Sequence, residues 1–143
     1  MLADDVIARL KDRVADLRTV EPAADLVQLI AANKLPQHTP AAHVVSSGLQ
    51  GGTADAASGL FRQAVDETIS VLLSFRNATG TGARALDMVD TIRLAVIEAL
   101  CGWAPGDTIG VFRLLRGRVV NMTAGTLVYQ IDVAIADQLR ITP

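Results

Sequence analysis

The chain has 143 residues, half of them apolar, and a mass of 15.1 kDa. That is one domain over 1–143, large enough to bury a real core without disulfide or metal staples. A net charge of −2, from 13 basic and 15 acidic residues mixed along the chain, excludes a polybasic or acidic tail. The charged N-terminus and the lack of any apolar run near the roughly 20 residues of a membrane span leave no signal peptide or transmembrane segment to expect.

Leu2, Val6, Leu10, Val14 and Leu17 recur at three- and four-residue steps with charges between them, which predicts a first helix starting near Asp4 and Asp5. A short extended stretch around Val20 follows. Pro22 suits the first position of a second helix whose buried side would be Leu26, Leu29 and Ile30. Pro36 and Pro40 stop helical structure and lead into a short strand, Ala42 to Ser46. Residues 48–59 hold four glycines and only one sizeable apolar residue, Leu49, so they are expected to form a flexible loop.

Near-strict alternation then marks a long strand, with Val65, Glu67, Ile69, Val71, Leu73 and Phe75 on one face. Its length predicts a strand that projects beyond the sheet or curls. A turn at 77–82 with Thr81 as cap opens a helix striped by Leu86, Val89, Ile92, Arg93, Val96, Ile97 and Leu100, which Gly102 and Pro105 end. Two strands close the chain, about Ile109 to Val120 with a bulge at Gly117, and Thr126 to Ala136, where Leu127, Tyr129, Ile131, Val133 and Ile135 alternate with Val128, Gln130, Asp132, Ala134 and Ala136. The fold class expected is α+β: one mixed, mostly antiparallel sheet of about four strands with two to three helices on one face.

No set of residues assembles a catalytic, cofactor or metal site. Cys101 has no sequence link to His38 or His43 and reads as a small apolar residue. Two histidines without further ligands do not make a zinc site. The glycine-rich stretch lacks the lysine of a phosphate loop, so Leu49, Gly51 and Gly52 are better placed in a protein-contacting loop. Asp87 and Asp90 form a solvated helix face, and Asp66 and Glu67 point to opposite sides of their strand. Arg113, Arg116 and Arg118 lie in an acid-free stretch, 108–131, and suit a protein interface or a channel lining better than a nucleic-acid patch, because aromatics are only 3% of the chain.

Six ordered pieces together resemble the tail-terminator (tail-completion) proteins of long-tailed bacteriophages and gene transfer agents. They are Pro40-Ala-Ala-His-Val44, Gly48, Arg62-Gln63-x-Val65, Ile92-Arg93, Ala99-Leu-x-Gly102-Trp103-x-Pro105 and Gly125-x-Leu127-x-Tyr129-Gln130. The resemblance spans about residues 5–140 and adds Arg62 to the candidate interface residues. It implies a non-enzymatic virion protein, assembled in the host cytoplasm, that forms a hexameric ring at the head-proximal end of the tail. Its partners would be its own copies, the tail tube protein, a head-side neck protein, and DNA passing through without sequence-specific contact. A head–tail connector protein and a small cytoplasmic enzyme using Cys101 are the alternatives.

Overall fold

A computed structural model describes residues 2–32, 34, 36, 38–76, 82–106, 108–123 and 125–143. In chain order the elements are α1 (Leu2–Arg13), β1 (Thr19–Pro22), α2 (Ala23–Ala31), β2 (Ala41–Asp55), a 3-10 turn at Ala57–Gly59, β3 (Phe61–Arg76), α3 (Gly82–Leu100), β4 (Arg113–Thr123) and β5 (Thr126–Ile141). The strands form one sheet in the order β1-β2-β3-β5-β4. β1 joins parallel to β2, and every other pairing is antiparallel. The α+β class holds, with five strands in place of the four expected. The additional strand is β1, four residues long, which had shown only as the extended stretch around Val20.

One face of the sheet carries the core. Val44 pairs with Val71, which pairs with Ile131, and Leu73 pairs with Tyr129. Alternation sends these side chains, with Ile69, Phe75, Val133 and Ile135, to the same side. There they meet Val6 and Leu10 of α1 and Val89, Ile92, Val96 and Leu100 of α3. The alternating periodicity thus located the core face of both long strands. Val14 and Leu17 are buried too, although α1 stops at Arg13 and they belong to the turn after it.

α2 serves the other side. His43 alternates away from Ala42 and Val44, and the charge of Asp25 in α2 reaches it. Pro22 is the residue before α2, not its first helical position. Of the side expected to be buried, Leu26 is covered while Ile30 is 57% exposed, because a helix crossing only a two-strand edge has little surface to hide against.

The segment 48–59 corrects the loop expectation. Gly48 to Asp55 continue β2 and pair with β3 as far as Arg62, with register shifts between Ser46 and Gly48 and between Gly51 and Ala54. Small residues carry no periodicity, so the strand was invisible, yet backbone pairing to the long β3 needs no side chain. The turn 77–81 and the Thr81 cap lie outside the described residues.

The last strands also differ from expectation. β4 begins at Arg113 rather than Ile109, and β5 runs to Ile141. β4 bulges at Leu115 and Val120, not at Gly117. Gly117 is glycine for a packing reason instead: a Cβ there would stand 2.6 Å from the Tyr129 hydroxyl.

The end of α3 is a fixed corner. Gly102 has φ +84°, the left-handed backbone that ends helices. Its N–H donates to the Phe112 carbonyl at 2.8 Å, and the Phe112 N–H donates to the Trp103 carbonyl at 2.9 Å. Trp103 stacks on Phe112 at 5.9 Å, and the Arg9 guanidinium lies 4.9 Å from the Trp103 ring. The Gly102-Trp103 piece of the resemblance therefore pins α1, α3 and the entry to β4 together.

Candidate assembly interface

The side of the sheet away from the core is polar over its centre and carries the arginines. Arg113 pairs with Ala134, Arg116 with Asp132 and Arg118 with Gln130. Strict alternation would put residues 113 and 116 on opposite faces. The bulge at Leu115 absorbs the odd step, so all three arginines reach one face along one edge of the sheet. This is a row that sequence spacing conceals and pairing creates.

The row is held and largely neutralised. Arg113 lies 3.5 Å from Asp66, with both side chains about half exposed, a pair of small energetic weight. The Arg116 Nε donates to Asp132 Oδ2 at 3.4 Å. Asp132 is only 7% exposed. Its Oδ1 accepts from Ser70 Oγ at 2.6 Å and from Gln130 Nε2 at 2.8 Å. Burial works against the Asp132 charge, but those donors and Arg116 outweigh it and hold the carboxyl below its ordinary value. Among the described residues only Arg118 of the three has no ion pair, so one positive charge is left uncompensated. A polyanion clamp needs more.

Ser70, Gln130 and Asp132 escaped sequence reasoning. Alternation set them on the more polar side of their strands, but only the β3–β5 register reveals that they converge.

The remaining candidate residues lie on a projecting three-stranded arm, formed by the far halves of β2 and β3 and the end of β5. Leu49 pairs with Glu67, Gly51 with Val65, and Arg62 with both Asp55 and Arg140. From Ser46 to Asp55, β2 is exposed throughout, and Leu49 is 66% exposed. The structure brings Leu49, Gly51, Gly52 and Arg62 together at this end, and Arg113, Arg116 and Arg118 along the opposite edge. The two groups meet at one hollow, lined by Leu49 and Gln50 on one side and by Arg113 and Leu115 on the other with Asp66 between, while Arg116 and Arg118 lie outside it.

Among the described residues neither Cys101 nor a histidine is set up for nucleophilic chemistry. Cys101 packs against the helix-side core, and burial pushes its thiol up, away from the reactive thiolate. His43, buried at 1% exposure, faces the other side of the sheet, and His38 is exposed. Among the described residues no three of His, Cys, Asp and Glu cluster to hold a metal ion, and no helix is long and apolar enough to cross a membrane.

β4 is apolar as well as arginine-bearing: Leu114, Leu115, Val119, Val120 and Met122 are between 40% and 65% exposed. Apolar side chains on an edge strand are a contact surface for protein. What the fold presents is a sheet edge that is both apolar and arginine-bearing. The chain belongs to the phage tail terminator family: the family model described as phage tail terminator protein matches residues 2–141. It is a structural protein of the phage tail. No curated protein matches the chain.

Proposed function

We propose that six copies close into a ring on the head-proximal end of the tail tube. The ring stops tube polymerisation, gives the neck protein of the head a surface to join, and leaves a channel for DNA. It performs no catalysis. Its place is the virion tail, reached after assembly in the host cytoplasm. The observation that carries this beyond family membership is the sheet itself. Its two long edges are open on opposite sides, the arrangement from which a head-to-tail contact closes into a ring. β3, a long alternating strand, offers no such edge, since it is paired on both sides.

The test is negative-stain microscopy of a lysate in which the gene is deleted. Overlong tails of variable length, free of filled heads, are expected. Tails of normal length beside separate heads would make the protein a neck component instead. Infectious particles of normal form would overturn both roles.

A further inference from the structure

The two open edges match each other. β1 pairs with β2 only from Ala41 to Val44, so among the described residues Val45 to Asp55 has no strand partner on its outer side. At the far side of the sheet, β4 pairs among the described residues with β5 alone, so Arg113 to Thr123 is likewise open. Each free stretch is 11 residues long. Neither contains proline or lysine, the residues that usually guard an edge.

We propose that β4 of one subunit pairs antiparallel with the free stretch of β2 in the next, so that the ring is sealed by one continuous sheet. This rests on the ring proposed above and specifies its joint. Direction favours it. β2, β3, β5 and β4 alternate in sense across the sheet. A neighbour set alongside in the same orientation therefore offers β2 to β4 in the antiparallel sense.

Charge favours it too. With Arg113 and Arg116 paired to Asp66 and Asp132, β4 offers the positive charge of Arg118, whereas the free stretch of β2 carries Asp55 and no base. The bulges at Leu115 and Val120, and the irregular steps in β2, coil the two edges as closure requires. Within one subunit Arg116 stands level with Val45 across the sheet. Full overlap of the two edges thus needs the neighbour displaced along the strands, the stagger that closed sheets have. Six copies supplying four long strands each give a wall about 50 Å across, at ~4.8 Å per strand and the usual tilt, which admits a DNA duplex.

Full overlap sets Val119 opposite Leu49 of the next subunit. In a Cys101→Ser background, Leu49→Cys and Val119→Cys are introduced together, and tails carrying the protein are treated with a short bismaleimide. Both positions are exposed, and unchanged melting checks that the variant folds. Inside one subunit β3 and β5 separate them. The expected result is a ladder of covalent multimers ending in a closed species, with each single variant left at monomer mass. Rings visible on tails, but no ladder from this pair or from the flanking pairs Thr53/Leu115 and Ser46/Met122, would overturn edge pairing and leave the cap standing. Absence of the protein from tails would overturn both.

Discussion

The Ser70 hydroxyl donates a 2.6 Å hydrogen bond to Asp132 and shares a 2.7 Å bond with the Ser47 hydroxyl. With Arg116 on its other oxygen, one carboxylate ties β2, β3, β5 and β4 into a single polar seam. Such a seam opposes slippage between strands, because a one-residue slip would turn every member to the wrong face.

Asp132→Ala is therefore expected to destabilise the fold by about 2–4 kcal/mol, since Ser70 and Gln130 lose their acceptor in a buried setting. Asp132→Asn keeps the shape and one acceptor oxygen and should cost about half as much. Urea unfolding midpoints for the two variants measure this. Equal, negligible shifts would mean that water satisfies the seam and that it does not hold the strands.

Acid should weaken the subunit in two stages. Burial lowers the His43 pKa below 6.5, with Glu21 and Asp25 offsetting only part of it, and among the described residues its Nδ1 has no partner. Below pH 6.5 the unfolded chain takes up a proton that the folded chain refuses, so stability is lost as pH falls toward the folded value. Asp132 is depressed below 3.8, so its contribution is present above that pH and lost further down. His43→Gln is expected to flatten the first stage and leave the second. Denaturation midpoints followed from pH 7.5 to 3 would show whether the first limb belongs to His43.

How much of this was legible beforehand depends on whether side chains carry a period. Leu73 and Ile131 announced the core face because apolar residues alternate around them, and Gly102 with Pro105 announced the end of α3. Gly51, Gly52 and Ala54 announced nothing, since a strand of small residues held by backbone bonds looks like a loop. The arginines were visible as residues, but their common face was not. It depends on the bulge at Leu115 and on pairing with β5, and pairing is non-local information that a linear pattern does not contain.

Gly117→Ala should cost about 1–3 kcal/mol, the usual range for overpacking. The added methyl would meet the Tyr129 hydroxyl at 2.6 Å and its ring at 2.9 Å. Tyr129 is only 9% exposed and the Arg93 guanidinium lies 5.6 Å from its ring, so the ring is confined on both sides. Thermal melting tests this. Pairing with Tyr129→Phe separates the causes, because removing the hydroxyl should restore part of the loss if the contact is the reason.

Arg118→Glu separates folding from assembly. Arg118 is exposed and, among the described residues, has no ion pair to lose, so melting should shift by less than about 0.5 kcal/mol equivalent. Charge reversal should nonetheless weaken docking, since it replaces the one uncompensated positive charge of β4 with a negative one on an edge whose proposed partner stretch carries Asp55 and no base. The expected phenotype is a stable subunit that fails to complement the deletion and leaves overlong tails. Arg113→Ala is the milder comparison: it removes a half-exposed pair with Asp66 and should assemble with reduced yield. Full complementation by Arg118→Glu would place the subunit contacts away from the arginine row, and the apolar side chains of β4 would then have to carry the edge alone.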